Sequence, residues 1–143
     1  MSDQSRSTAA RAARILIVDD ERRNRDLLEV MLSADGYVLG MASGGAEALE
    51  EVRRQHPDLI LLDVMMPGMD GYQVAARIKG DPATRHIPII LLTALDDRNS
   101  RIHGLSAGAE EYLTKPVNRH ELSLRVRNLL RLREAGSGME TAE

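Results

Sequence analysis

The sequence predicts one α/β domain in which helices cover both faces of a parallel β-sheet. Five short apolar runs alternate with five segments whose apolar residues recur three and four positions apart. Three of these runs are unbroken aliphatic, as strands buried on both faces of a parallel sheet require. A length of 143 residues suits one domain. Alternation of strand and helix then predicts a layered helix–sheet–helix architecture.

The predicted strands are all short. They cover Ile15–Val18, Val38–Ala42, Leu59–Leu62, Ile89–Leu92 and Tyr112–Leu113. Pro57 and Pro88 lie just before the third and fourth strands, where a helix is disfavoured. The second strand is followed by Ser43 and by nothing ionisable. If this strand lies at an edge of the sheet, the ends of the other four strands surround one pocket.

Apolar stripes mark the five predicted helices. The stripe residues are Leu28, Met31 and Leu32, then Ala46, Leu49 and Val52, then Val74, Ala75 and Ile78, then Ile102 and Leu105, and finally Leu122, Val126, Leu129 and Leu130. Gly36 and Gly80 suit the ends of the first and third helices. Ser43 is the predicted N-cap of the second helix, and Asn118 with Glu121 predicts a capping box for the last.

The two ends of the chain are predicted to lie outside the domain. Residues 1–13 are small and polar, so we expect a disordered leader rather than a secretory signal. The domain is predicted to span residues 14–134. Residues 135–143 are predicted to form a flexible tail, because Gly136 and Gly138 disfavour helix.

Composition excludes several classes of function. The chain has no Cys, which excludes disulfides, thiolate metal sites and a cysteine nucleophile. Its net charge of −3 and its three aromatic residues, all Tyr, disfavour direct nucleic-acid binding. No apolar run approaches the roughly 20 residues of a membrane span. We therefore expect a cytoplasmic protein without a direct membrane or nucleic-acid partner.

Reactive side chains follow four of the five predicted strands. They are Asp19 and Asp20 after the first, Asp63 after the third, Thr93 after the fourth and Lys115 after the fifth. Parallel strands end at one edge of the sheet, so these groups are expected to surround one pocket. Neighbouring carboxylates require a cation or raised pKa values, and oxygen ligands with open positions suit Mg²⁺. A carboxylate beside Mg²⁺ and a Lys can attack phosphorus, while the Thr hydroxyl hydrogen-bonds a phosphoryl oxygen.

Each residue also has a purely structural interpretation. Asp19 or Asp20 could cap the first helix, Thr93 could simply end a strand, and Lys115 could be solvated. Their joint occurrence at four predicted strand ends favours the functional interpretation.

The residues that carry this chemistry resemble the receiver domain of two-component response regulators. The matching segments are ILIVDDE at 15–21, LILLDVMMPGMDG at 59–71, PIILLTA at 88–94 and YLTKP at 112–116. The resemblance runs from about Arg14 to Arg133 and implies a flavodoxin-like fold with strand order 2-1-3-4-5. The central stretch is most similar to receivers attached to cyclic-dinucleotide cyclases and phosphodiesterases.

The resemblance implies a role for each residue of the acidic pocket. Asp63 is the implied phosphoacceptor. Asp20 and Asp63 are the implied direct ligands of Mg²⁺, with the backbone carbonyl of Met65 as a further ligand. Asp19 is implied to hold the ion less directly, often through water.

The resemblance also implies roles on the last two strands. Thr93 and Lys115 would bind the phosphoryl group, and the Lys115–Pro116 peptide bond would be cis. Thr93 and Tyr112 would form the switch, with the Tyr112 ring passing from a solvent-facing to a more buried position. That change would alter the surface of the fourth helix, fifth strand and fifth helix.

The implied function is a phosphorylation switch that catalyses only its own phosphorylation and dephosphorylation. A sensor histidine kinase or histidine phosphotransfer protein would supply the phosphoryl group to Asp63. Two outputs stay open at this point. In one, a single-domain regulator binds a downstream protein or a second copy. In the other, the chain is the N-terminal receiver of a longer regulator with an enzymatic output domain.

Two other functions fit the residues less well. A haloacid-dehalogenase-like phosphatase also uses an Asp nucleophile, but it needs a second Asp two residues later, where this chain has Met65. A degenerate receiver that never takes phosphate is disfavoured by the complete set of acidic, Thr and Lys residues. Met65 and Leu95 are both apolar, so neither side chain can orient an attacking water.

Overall fold

The structure, a computed structural model, describes residues 12–94 and 98–142, with side chains of the last helix described through Arg133. Its elements are β1 (Arg14–Val18), α1 (Arg22–Ser33), β2 (Val38–Ala42), α2 (Gly45–Gln55), β3 (Leu59–Asp63), α3 (Gly71–Gly80), β4 (Ile89–Thr93), α4 (Arg98–Ser106), β5 (Glu111–Thr114) and α5 (Arg119–Ala142). The predicted disordered leader falls almost entirely on residues 1–11, which lie outside the described part of the chain.

The sheet has five parallel strands in the order β2-β1-β3-β4-β5. This confirms the predicted flavodoxin-like fold and places β2 at an edge. In register, Val18 pairs with Leu62, Asp63 with Leu92 and Thr93 with Thr114. The polar residues at the strand ends are therefore gathered along one edge of the sheet.

Two apolar layers hold the helices against the sheet. Every residue of β3 and β4 is buried. Because successive side chains of a strand point to opposite faces of the sheet, these residues pack into both layers. One layer joins the sheet to α2 and α3, and the other joins it to α1 and α5. Burying each such aliphatic side chain stabilises the fold by about 1.5–3 kcal/mol.

Helix caps agree with the sequence in part. The Asn118 side chain accepts a hydrogen bond from the Glu121 N–H at 2.9 Å, as the predicted capping box requires. The predicted Ser43 cap is wrong, because Gly44 is the N-cap residue of α2. Ser43 instead donates its N–H and its hydroxyl to Glu47 Oε1, at 2.6 and 2.8 Å. These two hydrogen bonds lower the pKa of Glu47.

The last helix is longer than predicted. Its backbone is helical to Ala142, whereas we predicted an end near Glu134 and a flexible tail from Ala135. Glycine inside a helix costs about 1 kcal/mol relative to Ala but does not forbid the helix. The flexibility of residues 135–143 stays a prediction. Despite the length of α5, no helix in the described part of the chain combines the length and apolarity that crossing a bilayer requires.

The far part of α5 is attached to the amino-terminal edge of the sheet. Arg133 hydrogen-bonds and pairs with the Asp58 carboxylate, which lies just before β3. The other oxygen of Asp58 accepts the Arg14 N–H at 2.7 Å, and the Asp58 N–H donates to the Arg14 carbonyl at the same distance. Asp58 thus ties α5 to the starts of β1 and β3.

Candidate functional site

Three carboxylates converge at the carboxyl edge of the sheet, where β1 and β3 lie side by side. One oxygen from each of Asp19, Asp20 and Asp63 lies within 4.8 Å of the others. Asp19 and Asp63 are buried, at 0% and 3% exposure, whereas Asp20 is exposed. The strand order reverses between β1 and β3, and this is where ligands bind in doubly wound sheets.

Lys115 supplies the positive charge of the site. Its Nζ lies 3.0 Å from Asp63 Oδ1 and 3.3 Å from Asp19 Oδ2. Its backbone N–H donates to the Thr93 carbonyl at 2.8 Å, which fixes the residue at the end of β5. The Lys115–Pro116 peptide bond is cis.

Burial and charge shift the pKa values of the central pair. Burial raises the pKa of Asp63. The hydrogen bond and charge of Lys115 oppose this effect, whereas the negative charges of Asp19 and Asp20 raise the Asp63 pKa further. Burial alone would lower the pKa of Lys115, but the hydrogen bond and charge of Asp63 and the charge of Asp19 outweigh it and raise that pKa. One ammonium therefore compensates the carboxylates only in part.

A divalent cation fits this arrangement. The donors are all carboxylate oxygens, the ligand type that hard ions such as Mg²⁺ prefer, and the uncompensated negative charge favours a cation. The cluster can therefore hold a metal ion. Met65 follows in the loop after β3 with a side chain that is 60% exposed.

Thr93 and Tyr112 occupy neighbouring strands beside the acidic cluster. Thr93 is fully buried at the end of β4, the strand that pairs with β3. Tyr112 is also buried, with 6% exposure, and the Arg101 guanidinium lies 5.2 Å from the centroid of its ring. The ring therefore lies inward in the structure, and its predicted movement between a solvent-facing and a more buried position stays a prediction. The facing helix α4 presents a glycine, Gly104, beside the ring.

The structure adds residues that sequence reasoning missed. Arg25 donates from Nη1 to the Asp19 carbonyl at 2.7 Å, and Asn24 lies 3.4 Å from Asp19 Oδ1 through its Nδ2. Asp70 and Gln73 form a capping box that fixes the start of α3 after the Asp63 loop. The D-x-x-Q spacing was visible in the sequence. For Asn24 and Arg25, the available signal was their position in the first turn of α1, five and six residues after Asp19.

Comparison with known proteins identifies the architecture. The profile of the response regulator receiver domain matches residues 15–127. The chain belongs to this family. The resemblance seen in the sequence is therefore confirmed, and the acidic cluster of this receiver lies where β1 and β3 meet. Receiver domains of this family act as signalling switches that interact with histidine kinases and output domains.

Curated relatives extend beyond the region they share with this receiver. It is 52% identical over 122 residues to the response regulator PleD of Caulobacter vibrioides, covering 85% of this chain and 27% of PleD. It is 48% identical over 120 residues to the response regulator MprA of Mycobacterium leprae, covering 82% of this chain and 51% of MprA. The chain thus spans between about a quarter and a half of these relatives.

Solved structures share the fold over most of the receiver. The signal receiver domain of a signal transduction histidine kinase from Syntrophus aciditrophicus has a TM-score of 0.79 and 39% identity, covering 84% of this chain and 91% of that one. The chemotaxis protein CheY4 of Vibrio cholerae has a TM-score of 0.78 and 29% identity, covering 82% and 98%.

Proposed function

We propose that this receiver is a phosphorylation switch whose acceptor is Asp63. The carrying observation is that the Asp63 carboxylate is buried against Lys115 and beside the Asp19 and Asp20 carboxylates. In the proposed transfer, a carboxylate oxygen of Asp63 forms a bond to phosphorus as the bond from phosphorus to the donor histidine nitrogen breaks. The charge of Lys115 stabilises the oxygens of the transferring group.

We propose Mg²⁺ as the cation of the acidic cluster. Asp20 and Asp63 would hold it directly, Asp19 less directly, and the Met65 backbone carbonyl would be a further ligand. When bound, the ion supplies charge neutralisation to the phosphoryl oxygens. Hydrogen bonds from Asn24 and the Glu21 N–H hold the Asp19 carboxylate in place, so Asp19 would be fixed beside the ion.

We propose that Thr93 and Tyr112 carry the signal away from Asp63. The Thr93 hydroxyl would donate a hydrogen bond to a phosphoryl oxygen, which exists only in the phosphorylated state. This differential interaction shifts the equilibrium between surface states. In this proposal the phosphoryl group stabilises the inward position of the Tyr112 ring, which is the position that the structure has. The affected surface comprises α4, β5 and α5.

The phosphodonor protein is proposed to dock beside α1. An apolar groove of about 420 Å³ lies between α1 and the β5–α5 turn and ends at Asp19 and Lys115. The Leu27 side chain in this groove is 54% exposed. A donor helix seated there would bring its histidine to the open side of the acceptor pocket. A sensor histidine kinase or histidine phosphotransfer protein suits this requirement.

The proposed output is protein binding by the α4–β5–α5 surface. Ile102 and Leu105 are about half exposed there, at 51% and 52%. The bound partner would be a downstream protein or a second copy. The alternative is a receiver joined to an enzymatic output domain, and the greater length of PleD supports it. A cytoplasmic location remains a prediction.

Phosphoryl labelling tests the acceptor. Acetyl phosphate with Mg²⁺ should give the parent chain one acid-stable, base-labile label, and Asp63→Asn should take none. Asp26→Asn is the matched control, because Asp26 is an exposed carboxylate on α1 that lies outside the cluster. Full labelling of Asp63→Asn would place the acceptor elsewhere.

A comparison of two phosphodonors, one a protein and one a small molecule, tests the docking groove. Leu27→Asn should slow transfer from a phosphorylated histidine phosphotransfer protein while leaving labelling by acetyl phosphate unchanged. The small donor does not need the groove, so equal slowing with both donors would contradict docking at this face.

A further inference from the structure

Helix α4 touches the sheet through a glycine. Of the nine residues of α4, Arg98–Ser106, only Gly104 is buried. A Cβ added at Gly104 would lie 2.8 Å from Leu91 Cδ1, 3.1 Å from Tyr112 Cδ2 and 3.5 Å from Tyr72 Cε1. The first of these distances requires something to move. The space that a side chain would occupy at position 104 is therefore taken up by Leu91 and by the Tyr112 ring.

The neighbours of Gly104 leave few ways to relieve such an overlap. Leu91 is fully buried in the middle of β4 and cannot swing into solvent. Tyr72 is stacked on His103 with ring centroids 4.0 Å apart, and its hydroxyl donates to the Ser100 carbonyl at 3.3 Å. Relief therefore requires displacement of the Tyr112 ring or of α4, whose other residues are exposed or partly exposed.

We propose that Gly104 is a positioning residue for the switch, because its lack of a side chain opens the slot that admits the Tyr112 ring. This inference rests on the proposed role of Thr93 and Tyr112. A methyl group at position 104 would close the slot, push the ring outward or lift α4, and so disfavour the state that the phosphoryl group stabilises. Ala is normally the better helix former, so the expected effect runs against helix propensity.

The variant Gly104→Ala tests the slot through two measurements. Solvent exposure of the Tyr112 ring is measured from broadening of its NMR signals by a soluble paramagnetic agent. Affinity for the phosphate mimic beryllofluoride, with Mg²⁺, is measured from NMR shifts of residues 98–107. Overpacking of a buried site is expected to change the ratio of inward to outward ring by roughly tenfold. Because ring position and mimic binding are coupled, mimic affinity should fall by up to the same factor.

Two variants provide the control and the rescue. Gly80→Ala adds the same methyl at the end of α3, where nothing lies within 4 Å, and should leave both measurements unchanged. Adding Leu91→Val to Gly104→Ala removes the Cδ1 atom that the new methyl meets, and should restore ring burial and mimic affinity. Simple loss of stability would not be repaired by shortening a core side chain.

Three outcomes decide the inference. Ring exposure and mimic affinity equal to those of the parent in Gly104→Ala would overturn it, and so would failure of Leu91→Val to restore them. If Gly104→Ala does not fold, Tyr112→Ala is added: recovery of folding supports the slot and continued unfolding contradicts it. Labelling of Asp63 is followed in parallel. An unlabelled parent chain would refute the proposed acceptor, while ring exposure would still decide the role of Gly104.

Discussion

Lys115 Nζ lies between two buried carboxylates, 3.0 Å from Asp63 Oδ1 and 3.3 Å from Asp19 Oδ2. Removing one partner from such a group leaves uncompensated charge in a buried site. In metal-free buffer, Lys115→Met is therefore expected to lower the free energy of unfolding by about 1–3 kcal/mol, measured by urea denaturation. Mg²⁺ should recover more stability in this variant than in the parent. Equal stability of parent and variant without metal would contradict this account of the site.

The acidic cluster predicts a metal dependence of stability. Mg²⁺ should raise the melting temperature of the parent, because an ion that binds only the folded chain stabilises it by mass action. Asp20→Ala should weaken binding in calorimetric titration by at least about tenfold, since an exposed ligand of a small cluster is lost. Asp26→Asn is the control. Unchanged affinity in Asp20→Ala would remove Asp20 from the ligand set.

Met65 predicts a long-lived phosphorylated state. Its exposed apolar side chain follows the acceptor by two residues and offers no polar atom to orient an attacking water. Met65→Asn should therefore speed loss of the label by several-fold in a timed assay, and Met65→Leu should not. Leu95, the other position with this predicted role, lies outside the described residues. Identical decay in all three proteins would mean that Met65 does not control water access.

Thr93 predicts a separation of phosphorylation from switching. Thr93→Ala should still accept a label on Asp63, because the nucleophile and Lys115 remain. It should lose most of the beryllofluoride-dependent NMR shift of Tyr112 and of residues 98–107, because the hydrogen bond that distinguishes the two states is gone. A full shift in Thr93→Ala would contradict the Thr93–Tyr112 route without touching the assignment of Asp63.

The Asp58–Arg133 pair predicts the stability of the far part of α5. Arg133→Gln removes a charge-assisted hydrogen bond and should cost about 1 kcal/mol, because both side chains are partly exposed. Hydrogen exchange should quicken at residues 128–133 and change little near Glu121. Arg131→Gln, an exposed position on the same helix, is the control. Uniform quickening along α5 would instead indicate a general loss of helix.

The positions of β1, β3 and β4 could be predicted closely from the sequence, because burial on both faces of the sheet requires an unbroken aliphatic run. Leu59–Leu62 was extended by one residue in the structure, to Asp63. The reactive strand ends followed from topology, since parallel strands must finish at one edge. The end of α5 was missed because Gly136 and Gly138 lower helix propensity, which is a weak constraint that context overrides.

The finer geometry of the site could not be predicted, because it depends on contacts between distant residues. The inward position of the Tyr112 ring depends on the missing side chain at Gly104, and the spacing of apolar residues in the sequence does not show that these two residues meet. Arg25 reaches the Asp19 carbonyl only because α1 turns back over the end of β1. The Ser43 prediction was wrong because α2 begins one residue later, with Gly44 as its N-cap, and the Ser43 hydroxyl donates to Glu47.

Helix α5 is attached to the domain at two points, at its start and at Arg133. Its start, capped by Asn118, follows the turn that carries Lys115, and Arg133 is bound at the opposite edge by Asp58. Arg119 and Arg133 are separated by about 21 Å along the axis, at 1.5 Å per residue. A helix of this length that is held at two points is expected to move as one unit when one of the points is displaced. A displacement of the turn that carries Lys115 would therefore reach Arg133 either as rotation of α5 or as loss of the contact with Asp58.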